Sequence, residues 1–277
     1  MIVFPNAKIN IGLQIKSKRA DGFHDLETIF YPIKLKDILE ITRDKSNIPT
    51  EKPSVNFAAS GTSIPNDGAE NICLKAFQLL QKDFPEITNC QMYLHKAIPV
   101  GAGLGGGSSD AAHALMVLNK IFNLNLSQPQ LHKYAAMLGS DCPFFIDNKP
   151  SYATGRGELL TPSTISLSGY KIYLVHPGIH INTAWAFSTL KIHTTHHCDL
   201  NEAVQRPVHQ WQQHIYNDFE TPVFAAHPAI KAIKDQLLNS GALYAAMSGS
   251  GSSVYGIFDD SANPTLNFPA HYFTNWV

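Results

Sequence analysis

The chain has 277 residues, 44% of them hydrophobic and 16% charged, a balance that belongs to a folded globular protein and excludes a disordered one. A formal net charge of −1 supplies no global basic field, so neither nucleic acid nor an anionic membrane is expected as a partner and any phosphate must be gripped locally. Cys73, Cys90, Cys142 and Cys198 form no Cys-x-x-Cys pair, and no apolar run approaches the ~18 residues of a membrane span, so reduced thiols, a cytoplasmic location and neither export nor insertion are expected.

Residues 7 to 15 alternate, with Ala7, Ile9, Ile11 and Leu13 on one side and Lys8, Asn10, Gly12 and Gln14 on the other, which predicts a strand with a polar face. Taken alone, Lys8 reads as a solvated strand position. In Arg19-Ala-Asp-Gly-Phe-His-Asp, Asp21-Gly22 marks a turn from which His24 emerges beside Phe23; a lone His is more often structural than a ligand contact. Residues 26 to 41 read as strands broken by Pro32 and by Lys36-Asp37. Residues 42 to 69 read as polar surface turns around a short strand at 55 to 58. Asn71 is placed to cap a helix over 71 to 81 that turns Ile72, Ala76, Leu79 and Leu80 inward. A strand over 91 to 96 follows, with Lys96 facing a ligand.

Five glycines then fall within the seven positions from Gly101 to Gly107, followed by a helical pattern of Ala111, Ala112, Leu115, Leu118 and Phe122, with Ser108 or Ser109 as N-cap. Such a cluster is costly in chain entropy and serves positive φ or close backbone approach. A glycine loop opening a helix offers free amides and the positive end of the helix dipole, which is a site for phosphate. It is not a P-loop, because Gly107 and Ser108 follow Gly106 where Lys and Ser/Thr are needed. The dinucleotide fingerprint fits poorly, since no Asp or Glu lies between Asp110 and Asp141. Protein-kinase companions such as His-Arg-Asp and Asp-Phe-Gly are absent. A purely structural loop is the competing reading.

A helix over 128 to 138 leads into Leu138-Gly-Ser-Asp-Cys-Pro, where Asp141 either caps a turn by accepting backbone N–H bonds or acts as a base. Tyr152 to Glu158 is a Gly-broken turn, and a domain boundary is placed near residue 150, giving domains 1–150 and 151–277. A strand from Lys171 runs to a turn at Pro177-Gly178, and Asn182-Thr-Ala-Trp-Ala-Phe187 starts a helix in which Phe187 is either core or ligand contact. His193, His196, His197 and Cys198 crowd into six residues without the spacing of a closed zinc site and no partner pair follows, so a flexible surface loop without metal is expected there. A helix over 228 to 239, stopped by Gly241, and strands over 242 to 247 and 254 to 258, joined by Ser248-Gly-Ser-Gly-Ser-Ser253, complete the chain.

Pro99-Val-Gly-Ala-Gly-Leu-Gly-Gly-Gly-Ser-Ser109 resembles the central motif of the GHMP small-molecule kinases, named after galactokinase, homoserine kinase, mevalonate kinase and phosphomevalonate kinase. Pro5-Asn-Ala-Lys8-Ile-Asn10 is similar to the first motif of that superfamily, residues 138 to 143 to its catalytic-Asp segment, and residues 248 to 253 to its third motif, whose turn supports the phosphate loop. Arg19 to His24 resembles the signature of one branch, the 4-diphosphocytidyl-2-C-methyl-erythritol kinases, in which the aromatic and the His hold a cytosine. Phe23 stands where that branch usually has Tyr, so the ring can stack but a phenolic hydrogen bond is absent.

The resemblance implies an α+β fold of two α/β domains, the first like ribosomal protein S5 domain 2 and the second ferredoxin-like, with both substrates in the cleft. It implies ATP as co-substrate, held by Pro99, Val100, Gly101, Ala102, Gly103, Leu104, Gly105, Gly106, Gly107, Ser108 and Ser109. Asn71 would lie near the adenine and Lys96 toward the nucleotide. Lys8 would offset charge on the transferred group and orient Asp141, which takes the proton of the acceptor hydroxyl. Asn10, Phe23, His24, Thr183 and Phe187 would contact the small-molecule substrate, a cytidine diphospho-methylerythritol phosphorylated on its C2 hydroxyl in the non-mevalonate isoprenoid route. Mg2+ would bridge the phosphates, with Ser108 a candidate ligand, in a monomer or weak homodimer. Two alternatives stay open: a homoserine or mevalonate type of the same superfamily, and a catalytically silent nucleotide-binding protein.

Overall fold

Runs rich in Ile, Leu and Val build three four-stranded sheets in a computed structural model that describes residues 1–44, 53–64, 71–190 and 198–277. Helices bury the faces of these sheets in two compact units.

The first unit comprises Met1–Ala7, Lys34–Val100 and Gly105–Asn148. Its sheet has the order β1 (Ile2–Val3), β4 (Ile38–Arg43), β6 (Cys90–Lys96), β5 (Val55–Gly61). β5 runs parallel to β6, in register from Val55 with Cys90 to Gly61 with Lys96, so the chain must cross over between them; α1 (Ile72–Asp83) is that crossover. Leu39, Ile41, Met92 and Leu94 of the sheet pack with Ala76, Phe77 and Leu80 of α1 and Ala111, Leu115 and Leu118 of α2 (Gly106–Phe122). α3 (Gln128–Leu138) begins at a capping box of Ser127 and Gln130 and coincides with the expected helix; α4 (Cys142–Asp147) follows.

The second unit comprises Lys8–Ile33, Gly101–Leu104 and Lys149–Val277. One of its sheets has the order β2 (Asn6–Lys18), β3 (His24–Lys36), β7 (Ser151–Thr154), β8 (Leu159–Pro162). The other, all antiparallel, has the order β10 (Tyr244–Met247), β11 (Val254–Asp259), β9 (Tyr170–His176), β12 (Phe273–Trp276). Ile230, Ile233 and Leu237 of α9 (Pro228–Asn239) pack with Val175, Ala245, Met247, Val254 and Phe258. Four shorter helices, α5 (Thr183–Thr189), α6 (Leu200–Ala203), α7 (Val208–Trp211) and α8 (Glu220–Ala226), fill the connections.

Several expectations change. Because β3 pairs with β7, Thr28 opposite Ala153, residues 8 to 33 group with the later part of the chain, and one cut near residue 150 does not divide the two units. β3 runs unbroken through Pro32, which lies past the last β7 pair, Phe30 with Ser151, where a missing N–H costs no ladder bond on that side. The alternation of β2 is present, but its polar face is not solvated: Lys8, Asn10 and Gln14 are 3%, 3% and 1% exposed.

Candidate active site

A lysine can be buried only where its ammonium finds acceptors. The Lys8 Nζ donates to Asn10 Oδ1 and, at 3.4 Å, to the Gly103 carbonyl, and it lies 4.9 Å from the centroid of the Phe30 ring. Asn10 is fixed in turn: its Nδ2 donates to Thr28 Oγ1 (3.0 Å), its N–H to Ser248 Oγ (3.2 Å), and its carbonyl accepts the Tyr255 hydroxyl (2.8 Å). Lys8 is thus no solvated strand residue. It is a held cation beside the glycine loop.

The loop is anchored through its carbonyls. Leu104 O accepts the Lys8 N–H (2.9 Å), Ala102 O accepts Ser253 N–H (3.2 Å), and Gly103 O accepts Ser248 Oγ–H (2.8 Å). Gly103, at φ +79°, is obligatory, because a Cβ there would sit 2.0 Å from the Ser248 carbonyl oxygen. Helix α2 starts earlier than expected. Its N-cap is Gly105 in the left-handed region (φ 69°), so Ser108 and Ser109 lie inside the first turn instead of capping it. Ser109 N–H is bonded back to Gly105 O (2.9 Å), which leaves the amides of Gly106, Gly107 and Ser108 without intrahelical acceptors at the positive end of the dipole. Gly106 has a packing reason, since a Cβ would lie 2.9 Å from Ile98 Cγ2, whereas the exposed Gly107 meets nothing nearer than Ile72 Cγ2 at 3.9 Å. Amides so placed at a helix N-terminus suit an anion. Pro99 leads in buried and Val100 exposed. Asn71 caps α1, its side chain accepting Cys73 N–H (2.8 Å).

Lys96 is not presented to a ligand. It is 4% exposed, and its ammonium is bound to Asp37 and to Asp110 (2.7 Å). Asp37 also accepts the N–H groups of Ala97 (2.7 Å) and Ile98 (2.9 Å), fixing the strand exit that feeds the loop. Burial, partly offset by Lys96, pushes the Asp110 carboxyl up to about 7, and its Oδ1 is buried without a hydrogen-bond partner. Asp37 carried no sequence signal beyond punctuating two strands.

Among the expected acceptor contacts, His24 and Phe187 come together: their rings stack at 4.8 Å and 19°. Burial, with a smaller contribution from Lys18, holds His24 below the usual histidine range, so its ring is neutral at pH 7 and offers both a donor and an acceptor. Phe187 meets Phe219 edge-on (4.9 Å, 87°). Phe23 is 53% exposed and outside that stack, with the Arg156 guanidinium 4.8 Å from its ring centroid. The turn that presents it is tied by Arg19 to Asp21 and Asp25. Thr183 opens α5, and its hydroxyl lies 3.3 Å from that of Ser250. Asp141 is the N-cap residue of α4, and its side chain makes no capping bond to that helix. His193, His196 and His197 lie outside the described residues, among which no cluster of three or more His, Cys, Asp or Glu could hold a metal ion. None of the described helices is long and apolar enough to cross a membrane.

The family model of the GHMP kinases N terminal domain matches residues 71–149, and that of the GHMP kinases C terminal matches residues 201–266. A mevalonate kinase structure from Methanococcus jannaschii, 14% identical, superposes with a TM-score of 0.70 over 95% of this chain and 92% of its own. The fold is therefore the α+β fold of the GHMP kinases. A protein of Bacteroides fragilis named 4-diphosphocytidyl-2-C-methyl-D-erythritol kinase is 48% identical over 273 residues, 98% of this chain and 97% of its own. One of the same name from Azobacteroides pseudotrichonymphae is 47% identical over 277 residues, 99% and 100% of the two chains. The crystal structure of a 4-(cytidine 5'-diphospho)-2C-methyl-D-erythritol kinase matches with a TM-score of 0.77 at 28% identity, covering 92% of this chain and 89% of its own. This chain belongs to the 4-diphosphocytidyl-2-C-methyl-D-erythritol kinase family of ATP-dependent small-molecule kinases.

Proposed function

We propose that this chain transfers the γ-phosphoryl group of ATP to the C2 hydroxyl of 4-diphosphocytidyl-2-C-methyl-D-erythritol. The observation that carries the reading is the stacked pair of a neutral His24 and Phe187, an aromatic and hydrogen-bonding surface that suits a pyrimidine and has no use in a homoserine or mevalonate kinase. Near-full-length identity to relatives of that name supports it.

Phosphoryl transfer passes through a loose transition state, so the protein contributes positioning and charge stabilisation more than covalent chemistry. In this reading the amides from Gly101 to Ser108 cradle the ATP phosphates, Ser109 N–H being bonded to Gly105 O, and Lys8 offsets charge on the group in transit. Asp141 takes the proton of the C2 hydroxyl as its oxygen bonds to the γ-phosphorus; the bond to the β–γ bridging oxygen breaks and ADP leaves. Asn10 holds Lys8, while Phe23, His24, Thr183 and Phe187 receive the cytidine diphosphate. The Ser108 hydroxyl, in the first turn of α2, is a hard oxygen donor that would fit a Mg2+ ion held mainly by the phosphates. Such an ion supplies neutralisation of phosphate charge.

A coupled ADP-release assay with ATP and, in turn, cytidine-diphospho-methylerythritol, homoserine and mevalonate tests the reading. Turnover is expected with the first alone. Turnover with either of the others, or with none, overturns it.

A further inference from the structure

The glycine loop rests on the Ser248–Ser253 turn, and that turn grows out of β10, the outer strand of its sheet. An outer strand leaves backbone groups without a ladder partner. Here side chains from Gln212 to Glu220 take the partner's place. Gln212 Oε1 accepts Ala245 N–H (2.9 Å) and Glu220 Oε1 accepts Met247 N–H (2.8 Å). Asn217 Nδ2 donates one proton to Met247 O and the other to Gly249 O, both at 2.8 Å, so it spans the point where the strand becomes the turn. Asn217 Oδ1 accepts Phe219 N–H (3.0 Å), which leaves this 4% exposed amide with both donors and its acceptor engaged. Glu220, also buried, is held from behind by Lys234 (2.6 Å).

The same segment grips β2, the strand that carries Lys8 and Asn10. Leu13 N–H donates to Tyr216 O and Asp218 N–H to Leu13 O, both at 2.9 Å, and Ile15 N–H donates to Asp218 Oδ2 (2.7 Å). Residues 216 to 220 therefore splint together the strand bearing the buried lysine and the turn whose Ser248 hydroxyl meets Gly103 O.

We infer that Asn217 and Glu220 are positioning residues for phosphoryl transfer, fixing the height of the Ser248–Ser253 turn and through it the carbonyls and amides of the glycine loop. Neither touches a reacting group. The inference rests on reading the loop as the ATP phosphate site, and it extends that site to a segment far from the loop in sequence.

The test compares Asn217→Ala, Glu220→Ala and Glu220→Gln with Gln212→Ala, which removes a cap of the same kind two residues before Met247 and away from the turn. ATP binding is measured by calorimetry, and KM for ATP and for the phosphoryl acceptor by ADP release, on protein shown by circular dichroism to be folded. Asn217→Ala and Glu220→Ala are expected to weaken ATP binding about tenfold or more with KM for the acceptor moving less than twofold. Glu220→Gln keeps an oxygen acceptor for Met247 N–H and should recover most of the loss. Gln212→Ala should lower the melting temperature without splitting the two KM values. Wild-type ATP affinity in the folded Asn217 and Glu220 variants, or equal changes in both KM values, overturns the inference. If Asn217→Ala does not fold, the Glu220 pair decides alone. Failure of the wild-type protein to bind ATP would instead overturn the reading of the loop.

Discussion

The substitution Gly103→Ala isolates the packing of the glycine loop from its chemistry. The added methyl would lie 2.0 Å from Ser248 O and 3.1 Å from Gly251 O, so the two backbones must part by about 1 Å before the contact is tolerable. A side chain at φ +79° adds strain of about 1–2 kcal/mol. A domain stable by roughly 5–15 kcal/mol survives that, so the variant should fold. Displacing the loop by about 1 Å also strains the Ser248 bond to Gly103 O, and misplacement on that scale costs about a hundredfold in rate. The assay is kcat/KM for ATP by ADP release, with circular dichroism as the control for folding. Gly107→Ala supplies the contrast: its methyl meets only Ile72 at 3.9 Å, and Ala in place of a helical Gly stabilises by up to about 1 kcal/mol, so its melting temperature should rise. Wild-type kcat/KM for ATP in a folded Gly103→Ala protein would refute the claim that this backbone contact sets the loop.

Three further outcomes follow from the same geometry. Asp141→Asn should bind ATP as wild type does and lose turnover by about a hundredfold or more, the scale of a positioned base, as read by single-turnover kinetics. Phe187→Ala removes a stack worth about 0.5–1.5 kcal/mol, so KM for the cytidine substrate should rise up to about tenfold while KM for ATP stays constant. Because burial is what chiefly lowers His24, NMR titration of that variant should show its pKa rising toward the usual histidine value. Asp110 binds its proton more tightly folded than unfolded, so that stabilisation is complete below the ordinary carboxylate range, near about 4, and drains as pH rises through about 7. Burial pulls Lys96 down but the two carboxylates raise it, so it keeps its charge over this window. Melting temperatures from pH 4 to 8 should therefore fall more steeply for wild type than for Asp110→Asn; parallel curves would contradict this.

What could be read from the chain is what is local. α3 and α9 match their expected bounds because Ser127 with Gln130 and Pro228 mark their starts and apolar spacing marks their buried faces. The glycine loop was legible because so many glycines have no packing use, and Lys8 with Asn10 because two polar residues share one strand face. The N-cap was misplaced because the choice of Gly105 over Ser108 depends on a left-handed backbone that tertiary contacts impose. The burial of Lys96 between two carboxylates was not legible because its partner Asp37 lies 59 residues away, and no spacing rule reaches that far. The pairing of β3 with β7 and the splint at 216 to 220 were invisible for the same reason. β12 and helices α6 and α7, each four residues long, are too short to show a period.

The central claim concerns where the phosphate goes, and 31P NMR of the product made by the wild-type protein from ATP and cytidine-diphospho-methylerythritol tests it most directly. The C2 carbon carries the methyl branch and no hydrogen, so a phosphate on its oxygen has no three-bond proton coupling. ADP is expected together with one new phosphomonoester resonance that stays a singlet without proton decoupling. A new resonance split by carbinol protons, or ADP released with no new phosphoester, would contradict it.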